Sequence, residues 1–161
     1  MGTIANFFRN LEKVDIIQVA SDSLHREEPK VRQLNIKQLM AGQNNKGQPL
    51  SPKYSEDPYF KTAAQAQAYA RWKKRLFPET PFDTPNLIIN GFTHSSLQVN
   101  VSRNQIRFQF GVKWASDLES KYKGTELGLS PESKATAYND IVQPDIVNTI
   151  CQVTGAKKGR K

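Results

Sequence analysis

The sequence has almost no cysteine and no long apolar run. The single cysteine, Cys151, cannot form a disulfide within the chain. No segment approaches the roughly 18 consecutive apolar residues that a membrane-spanning helix needs. The first residues, MGTIANFFRNLEK, lack the basic and apolar regions of a secretory signal. We therefore expect a soluble, unsecreted protein with no membrane partner, in which Cys151 is a buried structural thiol.

Hydrophobic and acidic residues are also scarce. Hydrophobic residues make up 37% and aromatic residues 9% of the 161 residues, which is low for a globular domain but above the range of disordered chains. Lys and Arg number 23 against 15 Asp and Glu, a formal net charge of +8 that favours anionic partners. Half of that charge lies in residues 156–161, which we expect to form a flexible basic tail.

Motifs of catalysis and metal binding are missing as well. The sequence contains no phosphate-binding loop, nucleophile elbow, HExxH helix or calcium loop. His25 and His94 have no neighbours at the spacing of zinc ligands. Glu27 and Glu28 are adjacent, so they point in different directions on a helix and are better explained as surface charge. We expect no enzymatic activity, no catalytic residues, no bound metal and no cofactor.

Signals of helix formation lie on both sides of the middle of the chain. Apolar residues of one stripe between 15 and 42 predict an amphipathic helix or a helix pair, with a kink or break near Glu28 because Pro29 disfavours helical backbone before it. Asp57 and Pro58 are typical of a helix N-cap followed by a first-turn proline. Ser130 and Pro131 repeat that pattern near the C-terminus. Helices are therefore expected on both sides of the middle of the chain.

In the middle of the chain the apolar period changes to two. Leu97, Val99 and Val101 alternate with polar residues, and the same alternation follows a short turn at Ile106, Phe108 and Phe110. This pattern predicts an antiparallel hairpin with one buried face and one solvent face. The expected fold class is α+β, a single domain over 1–155 with amphipathic helices packed on a small antiparallel sheet. Its expected segments are N-terminal helices 4–42, a loop 43–57, a helix 58–77, a proline-rich linker 78–86, the hairpin 87–112 and C-terminal helices 113–154.

Basic residues are concentrated on the predicted helix 58–77 and in the tail. On the helix they interleave with Tyr69, Trp72 and Phe77. One interpretation is a solvated helix face whose rings seal the core, with late cations that complement the helix dipole. The other is nucleic-acid binding without sequence preference, by base stacking and phosphate contacts. The residues that we expect to contact DNA or an acidic partner are Lys73, Lys74, Arg75, Lys157, Lys158, Arg160 and Lys161.

Three segments of the chain carry patterns seen in a known group of proteins. The first contains Leu34, Asn35, Gln38, Leu39, Gly42 and Gly47, the second Pro85, Leu87, Gly91, Ser96, Leu97 and Val99, and the third Tyr122, Lys123, Gly124, Leu127, Gly128 and Leu129. Together they resemble small virion proteins of tailed phages and prophages of the Bacteroides group. The second segment is also similar to the turn-and-strand signature of phage tail-completion and head-to-tail connector proteins. The chain departs from that signature with Asn90 where threonine is usual, although asparagine also tolerates turns.

The resemblance implies a virion structural protein of the neck or tail-completion kind, assembled in the host cytoplasm. Such a protein forms a homo-oligomeric ring between portal and tail, and it contacts other virion proteins and, without sequence preference, packaged DNA. The turn and assembly motif implied here consists of Asn90, Gly91, Ser95 and Ser96. The exposed loop around residues 42–58 and the proline-rich segment 78–85 are the expected contacts with neighbouring subunits.

Overall fold

The computed structural model describes residues 4–88 and 91–156. It contains helices and a two-stranded antiparallel sheet, so the predicted α+β class is confirmed. No described helix is long and apolar enough to cross a membrane. The elements are α1 Ile4–Leu11, α2 Ile16–Arg26, α3 Glu28–Met40, a 3₁₀ turn Tyr54–Glu56, α4 Ala63–Leu76, the single turn α5 Phe92–Ser95, β1 Leu97–Ser102, β2 Gln105–Phe110, α6 Ala115–Tyr122, α7 Pro131–Ala137, a π-helical turn Tyr138–Val142 and α8 Gln143–Thr154.

The N-terminal helices break where proline predicts. The carboxylate of Asp15 caps α2 by accepting a hydrogen bond of 2.9 Å from the backbone N–H of Gln18. Helix α2 ends at Arg26, and α3 begins two residues later with Pro29 in its first turn. A first-turn position suits proline because its missing N–H would have no partner inside the helix. The predicted break near Glu28 is confirmed.

Helix α4 begins later than the sequence pattern indicates. Its N-cap is Thr62, whose hydroxyl accepts a hydrogen bond of 3.2 Å from the backbone N–H of Gln65. The predicted cap, Asp57, instead accepts from the N–H of Tyr59 at 3.1 Å and pairs with Lys121 on α6. The predicted start at residue 58 is therefore wrong, because the Asp57 carboxylate serves a turn and a distant cation.

The two strands lie and face as their alternation predicts, but the hairpin is shorter than the predicted 87–112, because the helical turn α5 precedes it and the strands span only 97–110. Strand β1 pairs with β2 in a register that places Leu97 opposite Phe110 and Val99 opposite Phe108, and the strands are joined by two turn residues. Burial alternates along both strands, with the apolar side chains on the inner face. This inner face joins two core clusters. The clusters are Val31, Val99, Leu129, Ala137 and Ile141, and Leu39, Leu50, Leu97, Phe110 and Tyr122.

The two segments expected to contact neighbouring subunits combine exposed residues with buried ones. Leu50 is fully buried in the second core cluster, and Tyr54 is also buried. In the proline-rich segment, Thr84, Pro85 and Asn86 are buried. The buried residues alternate with exposed ones along each segment. Each segment therefore lies along the surface of the domain and is fixed to it at the buried positions. The expected loop 42–58 is therefore exposed over much of its length but fixed to the domain at buried residues, and the expected contacts of both segments with neighbouring subunits stay a prediction.

The C-terminal helices follow the predicted capping pattern. Ser130 is the N-cap of α7, its hydroxyl accepts from the N–H of Ser133 at 3.2 Å, and Pro131 occupies the first turn. The chain then continues through the π-helical turn into α8, which carries Pro144 in its first turn. Cys151 lies on α8 as a free thiol that is half-buried, less buried than the expected structural thiol.

Candidate functional site

The predicted turn motif forms a compact turn before β1. Gly91 has a φ of 83°, the left-handed region that favours glycine. The hydroxyl of Ser95 donates to the carbonyl of Phe92 at 3.1 Å, and that of Ser96 donates to the carbonyl of Thr93 at 2.9 Å. The structure thus brings Gly91, Ser95 and Ser96 together, while Asn90 lies outside the described residues. These hydroxyls stabilise their own turn, and an assembly role of the motif stays a prediction.

His94 connects this turn to the proline-rich segment. Its ring is buried, and its Nε2 lies 2.9 Å from the backbone oxygen of Asn86, which accepts the hydrogen bond. Burial lowers the pKa of His94, which favours the neutral imidazole. Among the described residues, no three His, Cys, Asp or Glu side chains cluster as metal ligands would. His94 therefore connects the turn before β1 to the proline-rich segment through a buried hydrogen bond.

Two of the predicted basic contacts donate hydrogen bonds to the protein's own backbone, Lys73 from a buried position and Lys74 from an exposed one. Lys73 is buried, donates a hydrogen bond to the carbonyl of Ile88, and has its pKa lowered to about 8 by burial. Lys74 donates to the carbonyls of Pro78 and Thr80 at 2.5 and 2.9 Å. Lys73 as a surface contact for DNA is therefore wrong, because its ammonium group faces the protein. Arg75 is exposed, and Lys157, Lys158, Arg160 and Lys161 lie outside the described residues.

The aromatic residues around α4 form a cluster of edge-to-face and tilted rings that reaches the surface. Tyr69 is its centre, with ring centroids 5.0 Å from Tyr54, 5.2 Å from Phe60 and 5.3 Å from Trp72. Tyr54 is buried, whereas Tyr59 is 80% exposed and Trp72 is 37% exposed. Exposed cations of the same region are Lys61, Arg71 and Arg75. The cluster therefore has a buried side at Tyr54 and a solvent-exposed side with aromatic and basic side chains.

An exposed apolar surface on α1 was missed by sequence reasoning. Helix α1 contains no buried residue, and Ile4 is 78% and Phe8 57% exposed. Phe7 is also 36% exposed, and the helix packs against α8. We call Ile4, Phe7 and Phe8 the N-terminal apolar patch. The consecutive phenylalanines in the first residues are the sequence signal that could have identified it.

An open groove provides a second apolar surface. It has a volume of about 530 Å³ and lies between α2, the tip of the hairpin and the α7–α8 region. Ile17, which is 56% exposed, and Tyr138, which is 51% exposed, form part of its lining. We call this feature the α2 groove. Only the tertiary structure reveals it, because its walls come from segments more than 100 residues apart.

The described surface therefore offers apolar features suited to protein association and a separate aromatic and basic region on α4. Contiguous exposed apolar area on a small protein is typical of interaction sites. Exposed aromatic rings beside cations are typical of surfaces that stack bases. No family model matches this chain, and neither a curated protein nor a solved structure is significantly similar to it.

Proposed function

We propose that the chain is a structural protein of a tailed-phage virion, a head-to-tail connector or tail-completion component that acts as one subunit of a homo-oligomeric ring between portal and tail. The resemblance of three sequence segments to such proteins motivates the proposal. The observation that carries the assembly step is the N-terminal apolar patch, in which Ile4 and Phe8 are 78% and 57% exposed on a helix without buried residues.

The patch has a physical reason to be covered. Helix α1 has only eight residues, and isolated helices of that length are marginal in water, so its stability depends on packing. Its contact with α8 leaves Ile4 and Phe8 largely in solvent. Full burial of an isoleucine or phenylalanine side chain is worth about 1.5–3 kcal/mol. A neighbouring subunit that covers both residues would therefore stabilise the helix and the assembly together.

The α2 groove is the proposed receptor for this patch on the next copy. A ring requires two different surfaces on every subunit, each fitting the other on its neighbour. The patch is a protruding apolar helix, and the groove is an open cleft of about 530 Å³ with Ile17 and Tyr138 in its lining. The proposed contact places α1 of one copy in the α2 groove of the next.

The test is the mass of the full chain in solution. The unmodified protein should form a closed oligomer, measured by light scattering after gel filtration and seen as rings by negative-stain electron microscopy. Phe8→Ser should shift the mass to that of a monomer. Phe82→Ser is the matched control, because Phe82 is 53% exposed and Phe8 is 57% exposed, and it should leave the oligomer unchanged.

Two results would count against the proposal. A protein that remains monomeric at high concentration, both alone and mixed with portal or tail proteins, would exclude ring assembly. An oligomer that survives both Phe8→Ser and Ile17→Asp would show that the contact lies elsewhere. The class of protein has its own test, because a neighbouring gene for a portal or major capsid protein would support the virion assignment, whereas a ribosomal or metabolic operon would contradict it.

The α4 surface favours a second candidate function, nucleic-acid binding without sequence preference. Tyr59 and Trp72 expose their rings beside Arg71 and Lys61. Base stacking on such rings is worth about 1–3 kcal/mol per base, and exposed cations neutralise phosphates. Lys73 lies outside this proposed interface because it is buried.

Oligonucleotide binding distinguishes this candidate from the first. A chain lacking residues 156–161 should still bind single-stranded DNA, with log affinity falling steeply against log salt concentration. Tyr59→Ala and Arg71→Ala should weaken binding, whereas Lys113→Ala, an exposed cation outside α4, should not. Loss of all binding on removal of 156–161 would exclude the α4 surface.

A further inference from the structure

A second groove lies along β2. It has a volume of about 700 Å³, and the four consecutive residues Gln105, Ile106, Arg107 and Phe108 line one side of it. Successive side chains of a strand point to opposite faces, so a groove lined by four in a row lies along the edge of the strand. Because β1 occupies the other edge of β2, this is the free edge. We call the cleft the β2-edge groove.

The free edge of β2 presents unpaired backbone groups to this groove. The N–H of Gly111 donates to the carbonyl of Ser96 at 3.0 Å, one position beyond the pair Leu97 and Phe110. Hydrogen-bonded and non-hydrogen-bonded pairs alternate in an antiparallel ladder. The backbone N–H and C=O groups of Ile106 and Phe108 therefore point away from β1. In the part of the chain that the structure describes, neither residue has a backbone partner on that side.

The outer edge of β1 is partly covered and borders a smaller groove of about 330 Å³. Helix α3 packs against β1, and a carboxylate oxygen of Glu28 accepts a hydrogen bond of 3.4 Å from the backbone N–H of Val101. The N–H of Val101 points away from β2, as the alternation of hydrogen-bonded and non-hydrogen-bonded pairs requires. The bond from Glu28 gives this N–H a partner. The hairpin thus has one edge partly occupied by α3 and one edge open beside the larger groove.

Positive charge surrounds the open edge. Lys46, Arg107 and Lys134 line the β2-edge groove, and no acidic residue does. All three cations are exposed. Within residues 4–88 and 91–156, none of them forms an ion pair. The charge of the groove is therefore uncompensated and complements an anionic ligand.

The wall opposite β2 is held in place by amide side chains. It consists of the segment from Leu127 to Leu129. Asn35 donates to the carbonyl of Gly128 at 2.9 Å, and Asn45 donates to the carbonyl of Leu127 at 3.0 Å. A wall fixed in this way loses little conformational freedom when a ligand binds. The groove is therefore preorganised between a strand edge and a fixed segment.

We propose that the β2-edge groove binds an extended acidic segment of a partner protein, which adds to β2 as a third strand. Its backbone would pair with the N–H and C=O groups of Ile106 and Phe108, the mode known as β-augmentation. Its carboxylates would meet Lys46, Arg107 and Lys134. A nucleic acid could use the same cations, but it would leave the strand edge unpaired, so the backbone groups favour a peptide. The β2-edge groove adjoins the α2 groove and shares Gln105, Ile106, Leu129 and Lys134 with it, so a neighbouring α1 in the α2 groove would compete with the peptide at this end.

The test uses synthetic peptides and the full chain. A labelled eight-residue peptide of alternating Glu and Val should bind in a fluorescence anisotropy titration, and the same peptide with Lys in place of Glu should not. N-methylation of alternate amides on one edge of the Glu-Val peptide should abolish binding, because it removes the ladder donors while keeping the charge. Bound peptide should also slow hydrogen exchange at the amides of Ile106 and Phe108.

Variants locate the site. Arg107→Glu and Lys46→Glu should each weaken binding about tenfold or more, whereas Lys113→Glu, which makes the same change of charge at an exposed site away from the groove, should not. Equal binding of the N-methylated peptide, or no protection of the Ile106 and Phe108 amides, would overturn strand addition. Tighter binding of an oligonucleotide that depends on Arg107 and Lys46 would also overturn it, and would assign the groove to nucleic acid. The Phe8→Ser variant should bind the peptide normally.

Discussion

The side-chain amide of Asn35 donates a hydrogen bond of 2.9 Å to the backbone carbonyl of Gly128, 93 residues away in the chain. Asn35 is fully buried, and Gln38, one turn further along α3, donates to the same carbonyl at 3.1 Å. These bonds tie helix α3 to the wall of the β2-edge groove. The carbonyl of Gly128 thus accepts from two side chains of α3, although Gly128 itself is only half-buried.

Replacement of Asn35 should therefore destabilise the fold. Asn35→Ala removes one of the two donors to the Gly128 carbonyl and the donor to the Glu126 carbonyl, which costs about 1–3 kcal/mol. Lys37→Ala, on the exposed side of the same helix, should change the free energy of unfolding by less than about 0.5 kcal/mol. Urea unfolding followed by circular dichroism measures both. Equal effects of the two substitutions would show that the bond to Gly128 contributes nothing.

Glu126 makes the stability of the protein dependent on pH. Its side chain is fully buried, and neither carboxylate oxygen has a hydrogen-bond partner among the described residues. Burial raises the pKa of Glu126 above its ordinary value of 4.5. The folded state therefore binds the proton more tightly than the unfolded state, so stability falls as pH rises from about 4.5 through the raised pKa.

Glu126→Gln should remove this dependence, because the amide is neutral at every pH. The variant should be more stable than the unmodified protein at pH 7, and its unfolding free energy should fall less between pH 4.5 and 7. Glu132→Gln, at an exposed position, provides the control for the loss of one carboxylate. The same slope in both variants would contradict a buried, strained carboxyl group at Glu126.

Substitutions at Gly42 and Gly124 distinguish the cost of a left-handed backbone from the cost of crowding by a new side chain. Both have a φ of 69°, but a Cβ added at Gly42 would lie 2.5 Å from Cγ2 of Thr84, whereas one added at Gly124 would meet nothing within 4 Å. Gly124→Ala should cost about 1–2 kcal/mol for its left-handed backbone. Gly42→Ala should cost about 1–3 kcal/mol more, because the surrounding packing must shift.

A double-mutant cycle with Thr84→Ser measures the crowding directly. Serine lacks Cγ2, so Gly42→Ala should be less destabilising in the Thr84→Ser background than in the unmodified protein. Thermal or urea unfolding of the four proteins gives the coupling energy. A coupling of zero would mean that Thr84 does not limit the space at Gly42.

Asp145 links helices α2 and α8 and should control acid stability. It accepts a hydrogen bond of 2.6 Å from the hydroxyl of the buried Ser23, and it pairs with Arg26. The hydrogen bond from Ser23, followed by that from Arg26, lowers the pKa of Asp145 below its ordinary value of 3.8. A lowered pKa contributes stability above pH 3.8 that is lost as pH falls through the lowered value.

Asp145→Asn should therefore lower the free energy of unfolding at neutral pH. It should also reduce the further loss of that free energy as pH falls below about 3.8. Ser23→Ala should have a smaller effect of the same sign, about 0.5–1.5 kcal/mol at neutral pH. Asp140→Asn, an exposed acid on the π-helical turn, serves as the control. The same loss of unfolding free energy below about pH 3.8 in Asp145→Asn and in the unmodified protein would contradict the prediction.

Local patterns were sufficient to predict the hairpin, the break before Pro29 and the Ser130 cap. Each depends on residues within a few positions of one another, where strand alternation, proline geometry and capping act. The start of α4 was predicted wrongly because the pattern of Asp57 and Pro58 is also compatible with a turn. The partner that engages Asp57 is Lys121, 64 residues away, and no local pattern contains it.

The surfaces could be predicted only in part for the same reason. A sequence shows that Lys73 is a cation on a helix, but its burial depends on where the proline-rich segment folds back. The sequence by itself determined the α+β class, the facing of the hairpin strands and the placing of several helix ends, because these follow from short-range backbone preferences. The tertiary structure alone decided which cations are free, how far each edge of the hairpin is covered and which apolar side chains stay in solvent, because these depend on contacts between distant segments.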